Sequence, residues 1–172
     1  MASLPYASPA GTLTLIGYGT HLSRILFADQ RPPPVSGDPA HLNPVAAQLD
    51  EYFSGERTAF DLQLKLRGTP FQQRVWAALA GIPFGETTTY GTIASSLTTD
   101  DADPVEPRAV GSAVGATPIP IVVPCHRVIG ADGSLTGYRG GLELKRNLLA
   151  FEGSGGNPAS LSPDWGRQLS LA

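Results

Sequence analysis

The sequence predicts a two-part α/β fold, in which a small antiparallel sheet with one helix precedes a mostly helical part. Apolar–polar alternation, typical of strands, is concentrated before residue 68, whereas capped helical patterns dominate from Thr69 onward. The 172 residues suffice for one compact unit or for two small sub-domains that share an interface. We therefore expect domains at 1–68 and 69–153, followed by a Gly/Ser/Pro-rich, flexible tail at 154–172.

The N-terminal part contains two strand patterns and one helical pattern. Residues 8–19 and 21–27 predict a β-hairpin, because alternating apolar residues flank a glycine-marked turn. Pro44–Phe53 suits a short helix with Asn43 as its N-cap. Residues 60–66 alternate strictly and are the clearest predicted strand in the chain.

Three short helices are predicted next. The first begins after Thr69 as N-cap, with a proline at its first helical position. The second runs from Tyr90 to Leu97, capped by Thr88 or Thr89, and the third covers residues 108–115. Two short helices joined by a loop make the second and third a helix-turn-helix candidate.

The last predicted elements surround the single cysteine. Residues 119–124 are apolar and rich in proline, which predicts a buried extended segment leading into Cys125. Residues 137–141 form a glycine-rich loop. Residues 142–151 suit a helix with Leu142, Leu148 and Leu149 facing inward and Lys145 and Arg146 facing outward.

Charge is distributed unevenly along the chain. The net charge is -3, which by itself argues weakly against a nucleic-acid partner. Residues 108–146, however, carry five basic and two acidic residues, so the segment around the cysteine is positive. This segment predicts a small, salt-sensitive footprint on phosphates.

Other classes of protein fit the composition poorly. One cysteine excludes an internal disulfide and a multi-cysteine zinc site, so we expect no metal. No apolar run approaches the roughly 18 residues of a spanning helix, and no basic segment precedes the first apolar stretch. We expect a cytoplasmic protein without a membrane partner.

The surroundings of Cys125 favour a reactive thiol over a buried apolar one. His126 is adjacent and could accept the thiol proton, and Arg127 adds positive charge. The preceding apolar run would support the thiol rigidly. These features leave several cysteine chemistries open, among them amide hydrolysis and thiol redox sensing.

The segment 121–130, Ile-Val-Val-Pro-Cys-His-Arg-Val-Ile-Gly, closely resembles the active-site signature of the O6-alkylguanine-DNA alkyltransferases, or methylated-DNA–protein-cysteine methyltransferases. Further motifs occur in that family's order and spacing: residues 71–76, 82–87, 90–94, 108–111, 137–141 and 148–152. The resemblance is strong over residues 69–153 and loose over residues 8–68. It implies a ribonuclease-H-like N-terminal domain and a C-terminal domain with a winged helix-turn-helix.

The resemblance implies a catalytic role for four residues. Cys125 would accept the alkyl group in a reaction that each molecule performs once, after flipping of the nucleotide. His126 would act as a general base through a water, with Glu152 orienting it. Tyr90 would donate a hydrogen bond to the guanine O6 and contact the DNA. The implied partner is double-stranded DNA carrying O6-alkylguanine, with O4-alkylthymine as a further substrate and no cofactor.

The remaining implied roles concern DNA binding and the pocket. Arg108 would fill the gap left by the extruded nucleotide. The other implied DNA contacts are Ala109, Gly111 and Arg127. The substrate pocket would be formed by Val114, Val128, Tyr138 and Arg139, with the Val128 carbonyl and the Arg139 amide bonding the base. Thr117 stands where the family usually has a hinge asparagine, and threonine lacks the amide's paired donor and acceptor.

Two other functional classes remain as alternatives. A non-catalytic lesion-binding relative would recruit other repair factors, but such relatives lack the cysteine that is present here. A cysteine hydrolase on an unrelated fold would turn over many times and would not need Arg108 or duplex DNA. We expect a monomer that could bind DNA cooperatively.

Overall fold

The computed structural model describes residues 1–99 and 104–161. Its elements, in chain order, are β1 (Ala2–Ser8), β2 (Gly11–Tyr18), β3 (His21–Leu26), α1 (Asn43–Phe53), α2 (Pro70–Ala80), β4 (Thr88–Thr89), α3 (Tyr90–Leu97), α4 (Pro107–Gly115), β5 (Val128–Ile129) and α5 (Leu142–Gly153). Short 3-10 turns occupy Pro39–Leu42, Cys125–Arg127 and Pro158–Ser160. The mixed α/β class and the division into a small sheet and a helical part agree with the prediction.

The N-terminal sheet has the antiparallel order β1-β2-β3. The predicted hairpin is confirmed as β2 paired with β3, with a bulge between Ile16 and Gly17. β1 was not predicted. Pro5, paired opposite Thr14, interrupts its sequence pattern, and an edge strand is where a sheet tolerates proline.

The helix α1 packs Val45, Leu49, Tyr52 and Phe53 into the core. Asn43 was predicted as its N-cap, and that prediction is wrong, because Asn43 is the first helical residue. The helix instead continues from the preceding 3-10 turn, whose own N-cap is Asp38.

Residues 60–66 do not form a regular strand, contrary to the prediction. Only Leu64 makes a bridge to Leu22 of β3, although the four alternating apolar residues do pack against the core: Phe60, Leu62, Leu64 and Leu66. The free edge of β3 is shared, because further along it the Ile25 amide donates to the Pro118 carbonyl at 3.0 Å. The alternation therefore reports burial, and competition for the edge limits the pairing.

The helices of the C-terminal part begin at the predicted residues, except that α4 begins one residue earlier, at Pro107. Thr69 and Gln72 form a capping box at the start of α2, and the Thr89 side chain caps α3. The indole of Trp76 donates to the Ala113 carbonyl at 2.9 Å, which fixes α2 against α4. α3 and α4 pack against each other as the predicted helix-turn-helix pair. Part of the predicted acidic loop, residues 100–103, lies outside the described residues.

The helix α5 faces the core differently from the prediction. Leu144, Lys145, Leu148, Phe151 and Glu152 are buried, while Leu142, predicted inward, is 44% exposed. The prediction that Lys145 faces outward is wrong as well, because Lys145 is buried. Lys145 and Glu152 are seven residues apart, or about two helical turns, so they share one face.

The chain after α5 remains packed for several residues. The predicted flexible tail begins at residue 154, yet the Gly156 amide donates to the Phe151 carbonyl at 3.0 Å. Leu161 also packs against the core. The rest of that tail, residues 162–172, lies outside the described residues. In the part of the chain that the structure describes, no helix is long and apolar enough to cross a membrane.

Candidate active site

Cys125 opens the 3-10 turn Cys125–Arg127 and is 5% exposed. The apolar segment before it was predicted to be extended, but it folds into a tight turn in which the Val123 amide donates to the Ile119 carbonyl at 2.9 Å. Ile121, buried in that turn, has φ 73°, which is unfavourable for a β-branched side chain. Strained backbone of this kind persists where the surroundings fix it, and it is frequent at functional sites.

A short parallel pairing of β4 with β5 brings Tyr90 towards the cysteine turn. Thr88 pairs with Val128 and Thr89 with Ile129, so the start of α3 lies beside the residues that follow Cys125. The Thr136 hydroxyl donates to the Tyr90 hydroxyl oxygen at 3.0 Å. The Tyr90 proton is thereby left free to be donated to a ligand.

His126 and Glu152 form a buried pair, with His126 Nε2 2.7 Å from Glu152 Oε1. A carboxylate only accepts hydrogen bonds, so Nε2 carries the proton and Nδ1 carries the lone pair. Nδ1 is buried and has no hydrogen-bond partner among the described residues. It is therefore the atom of the ring that is free to accept a proton.

Glu152 collects donors from several parts of the chain. The Arg127 guanidinium donates through Nε to Oε2 at 2.8 Å and through NH2 to Oε1 at 2.9 Å. The Tyr52 hydroxyl, from α1, donates to Oε1 at 2.7 Å, and the Gly85 amide lies 3.3 Å from Oε2. The carboxylate thus links the N-terminal part of the fold to the cysteine turn.

Arg127 does not suit the predicted contact with DNA. It is 6% exposed, and its guanidinium is occupied by Glu152 and the Ile82 carbonyl. A buried charge that is fully paired has little reason to leave its partner for a phosphate. We correct its role to that of a partner of Glu152.

The protonation states of the pair follow from burial and charge. Burial lowers the pKa of His126 below its usual value, although Glu152 opposes this. Burial alone would raise the pKa of Glu152, but hydrogen bonds and charges from His126 and Arg127 outweigh it and hold the pKa well below its usual range. At neutral pH the site therefore holds a neutral imidazole beside an ionised carboxylate.

Three side chains act on the Cys125 thiol. Burial raises the pKa of the thiol to about 11, and hydrogen bonding by Thr117, the charge of Lys145 and the Tyr138 hydroxyl each act in the opposite direction. The Thr117 hydroxyl donates its single proton to the Val114 carbonyl at 2.7 Å, closing the turn that ends α4, and its oxygen lies beside the sulfur. Thr117, placed at the hinge by the sequence, is thus also a neighbour of the thiol.

Lys145 is a site residue that the sequence reasoning missed. Its Nζ donates to the Val128 carbonyl at 2.6 Å and to the Thr136 carbonyl at 3.0 Å, which ties α5 to β5 and to the loop beside Tyr90. The Val128 carbonyl, expected to bond the base, is thus already an acceptor, with a second lone pair to offer. The missed signal was the spacing of Lys145 from Glu152 on one helical face.

The helix α4 presents the predicted DNA-contacting residues. Arg108 and Ala109 are exposed at its start, and Gly111 lies over the Tyr90 ring. An open cavity next to them is lined by Tyr90, Pro107, Arg108, Gly111, Ser112, Thr136 and Gly137. Tyr90 and Arg108 therefore share one opening.

The predicted pocket residues divide into buried and exposed ones. Val114 and Val128 are buried, and the Tyr138 hydroxyl is buried without a well-aligned hydrogen-bond partner among the described residues. Burial, and next the nearby Cys125, raise the pKa of Tyr138 well above its usual value. Arg139 is exposed, and its guanidinium donates to the Gly115 carbonyl at 3.1 Å. Within residues 1–99 and 104–161, no group of three His, Cys, Asp or Glu side chains could hold a metal ion.

Comparison with known protein families gives two matches. Residues 70–154 match the family model of the 6-O-methylguanine DNA methyltransferase, DNA binding domain. Residues 5–66 match the 6-O-methylguanine DNA methyltransferase, ribonuclease-like domain.

Individual relatives agree with the family matches. The methylated-DNA–protein-cysteine methyltransferase of Mycobacterium tuberculosis is 50% identical over 151 residues, covering 86% of this chain and 89% of the relative. That of Methanosarcina mazei is 44% identical over 150 residues, covering 84% and 92%. A crystal structure of Mycobacterium tuberculosis OGT in complex with DNA superposes with a TM-score of 0.82 at 48% identity, covering 91% of this chain and 96% of that one. An O6-methylguanine DNA methyltransferase from Methanococcus jannaschii gives a TM-score of 0.64 at 30% identity, covering 87% and 93%.

Proposed function

Because this chain belongs to the 6-O-methylguanine DNA methyltransferase family, we propose that Cys125 is the residue that accepts the methyl group. The protein is a DNA-binding methyltransferase that repairs DNA directly. The observation that carries the residue assignment is the buried Cys125 preceding a His126–Glu152 pair whose only free ring nitrogen is Nδ1. We place the reacting residues in the second of two domains, 69–153, which follows the N-terminal domain at 1–68.

Removal of the thiol proton is the first step. With a pKa of about 11 the resting group is a thiol, so reaction at neutral pH requires a base. Nδ1 of neutral His126 takes the proton, through a bridging water because adjacent side chains rarely meet face to face. Ionised Glu152 stabilises the imidazolium that forms.

Transfer of the methyl group is the second step. The sulfur attacks the methyl carbon, a carbon–sulfur bond forms, and the bond from that carbon to O6 breaks with its electron pair remaining on the guanine. Donation from the Tyr90 hydroxyl stabilises the charge that grows on the base, which then takes up a proton. The product is a thioether, which water does not readily hydrolyse, so each molecule reacts once.

Access to the lesion requires extrusion of the nucleotide, because the O6 substituent lies inside the duplex. Arg108, exposed at the start of α4 and beside Tyr90, fills the space that the nucleotide leaves. Ala109 and Gly111 let the DNA approach α4 closely, since neither presents a long side chain. Val114, Val128, Tyr138 and the Arg139 amide enclose the flipped base.

The proposed function extends to the location, the oligomeric state and the further substrates of the protein. We propose a cytoplasmic location, because the relatives named above come from bacteria and archaea, whose DNA is not enclosed in a nucleus. We expect a monomer in the absence of DNA, which could bind DNA cooperatively. Larger O6-alkyl groups and O4-alkylthymine are candidate further substrates.

Intact mass spectrometry after mixing with a duplex containing O6-methylguanine tests the assignment. We expect the protein to gain the mass of one methyl group, located on Cys125, and repaired DNA to plateau at one equivalent. Cys125→Ala should abolish transfer but retain binding, because DNA affinity comes from contacts elsewhere. Product beyond one equivalent would support a cysteine hydrolase, and tight binding with no transfer would support a lesion-binding relative.

A further inference from the structure

The basic residues of the N-terminal part are concentrated on one surface. Residues 1–68 contain five lysines and arginines and six carboxylates. Four of those five cations line a single groove that also receives Arg139. We call this the basic groove and define it by Tyr18, Arg24, Arg31, Lys65, Arg67 and Arg139.

Among the residues that the structure describes, no carboxylate lines the basic groove. The fifth N-terminal cation, Arg57, lies elsewhere and pairs with Glu51 at 2.6 Å. Asp29 lines a separate depression, to which Arg139 also contributes. None of the ion pairs found in residues 1–99 and 104–161 involves a cation of the groove.

Tyr18 holds two of these cations in place. Lys65 Nζ lies 4.2 Å and Arg67 Cζ 5.2 Å from the centre of its ring. Such cation–π contacts favour a fixed position of the charge over a freely rotating side chain. Like charges kept together without a counter-ion are unfavourable, so the arrangement is suited to a polyanion that is bound there.

We propose that the basic groove binds the phosphodiester backbone of duplex DNA outside the lesion, as a second DNA-binding surface. The inference takes DNA as the partner from the proposed function. Ala116 and Pro118, just after α4, also line the groove, whereas Arg108 lies at the other end of that helix. The nine residues of α4 span about 13 Å, or about four nucleotide steps of one strand. The groove therefore contacts phosphates beyond those beside the flipped nucleotide.

The test compares two pairs of substitutions that change the net charge equally. Arg31→Gln with Arg67→Gln neutralises two exposed cations of the groove, and Arg57→Gln with Arg74→Gln neutralises two that lie outside both the groove and the segment 108–146. Binding to an undamaged duplex is measured by fluorescence anisotropy at several salt concentrations. We expect the groove pair to weaken binding about tenfold at low salt and to reduce the log–log salt slope by up to about 1.8, since each lost phosphate contact removes about 0.9.

The control pair should change affinity less than twofold. Equal losses in both pairs would show that only net charge matters and would overturn the proposal, as would an unchanged salt slope in the groove pair. A change in self-association by sedimentation, with DNA binding unaltered, would assign the groove to a protein contact and would also overturn it. Arg24→Gln gives an independent repeat on β3.

Transfer from free O6-benzylguanine is measured on every variant. An unchanged rate shows that the fold and Cys125 are intact, because no duplex is needed. Absence of methyl transfer from an O6-methylguanine duplex to the unmodified protein would contradict the function proposed for Cys125, yet the salt dependence of DNA binding would still decide the role of the groove.

Discussion

Thr117 shows how one side chain can serve both the backbone and the reacting atom. Its hydroxyl donates to the Val114 carbonyl, and it lies beside the Cys125 thiol, whose pKa it acts to lower. Threonine lacks the amide of the asparagine usual in the family, but its hydroxyl can rotate to donate its one proton either to the carbonyl or to a thiolate. The substitution therefore keeps a turn and a polar neighbour for the sulfur.

Thr117→Val should make the thiol less reactive. The variant keeps the shape of the side chain but removes the hydroxyl, so the pKa of Cys125 should rise above about 11. Loss of one hydrogen bond of about 1 kcal/mol predicts alkylation by iodoacetamide about fivefold slower at mildly alkaline pH. Thr117→Ser, which keeps the hydroxyl, is the control, and equal rates for the valine and serine variants would mean that Thr117 acts only as a spacer.

The raised pKa also predicts how stability depends on alkali. The unfolded chain releases the thiol proton near its ordinary pKa of about 9, whereas the folded protein keeps it to about 11. Between these values the folded state binds more protons, so the contribution of Cys125 to stability falls as the pH rises. Because Thr117→Val should raise the pKa of Cys125 in the folded protein further, the free energy of unfolding should continue to fall up to a higher pH in this variant.

At the scale of whole elements, α4 separates DNA handling from thiol chemistry. Its first turn carries Arg108, exposed and beside Tyr90, while its last turn is closed by Thr117 next to the sulfur. The two ends of one helix thus contribute to different steps. Substitutions at the two ends should have separable effects.

Arg108→Ala should slow the repair of duplex DNA far more than the reaction with a free base. The arginine acts on the duplex after the nucleotide leaves it, and losing this contact predicts a decrease of about 10–100-fold in the duplex rate. Transfer from free O6-benzylguanine should change little, since no base stack has to open. Both rates are measured on the same preparation, and equal losses would place Arg108 in folding or in thiol activation instead.

Sequence patterns predicted elements well where local signals and tertiary packing agree. The capping box of α2 and the threonine cap of α3 are local and appear as predicted. The alternation at residues 60–66 gave the right buried side chains but the wrong pairing, because Pro118 also uses the edge of β3. Whether a strand finds a free edge is decided by the rest of the chain.

The functional site also divides into residues that sequence motifs predict and residues that only tertiary packing brings together. The family resemblance predicted that the thiol, the histidine and the carboxylate act together, and His126 and Glu152 are in contact. It could not place Lys145, Tyr52 or the partnership of Arg127 with Glu152, because these depend on how helices α1 and α5 pack around the turn. Lys145 and Arg127 were predicted at the surface because lysine and arginine are usually exposed. That expectation fails where buried hydrogen-bond acceptors pair with the charge.

For the whole molecule, the contact between Tyr52 and Glu152 joins the N-terminal part to the catalytic pair. The hydroxyl is buried, and its hydrogen bond is charge-assisted, with an O–O distance of 2.7 Å. Burial, followed by the charge of Glu152, raises the pKa of Tyr52 well above its usual value, so it remains a donor. The N-terminal domain therefore contributes to the electrostatics of the site.

Tyr52→Phe should lower both the stability and the rate of methyl transfer. Loss of a hydrogen bond to a charged group predicts about 1.5–3 kcal/mol less free energy of unfolding. Tyr6→Phe is the matched control, because the Tyr6 hydroxyl donates to Asp50 at 2.8 Å away from the cysteine. We expect urea denaturation to report destabilisation in both variants and single-turnover kinetics to report slower transfer only in Tyr52→Phe. Equal transfer rates in the two variants would make the Tyr52 contact purely structural.

The contacts of Glu152 predict which residues are retained in relatives that have lost the reaction. Its two oxygens accept from His126, Arg127 and Tyr52, so the carboxylate neutralises a buried guanidinium whether or not any methyl group is transferred. Lineages that lost the reaction would still be selected to keep the Glu152–Arg127 ion pair, because removing one partner of a buried ion pair costs about 3–5 kcal/mol. We therefore expect relatives whose cysteine has been replaced to retain both Glu152 and Arg127, while the histidine drifts.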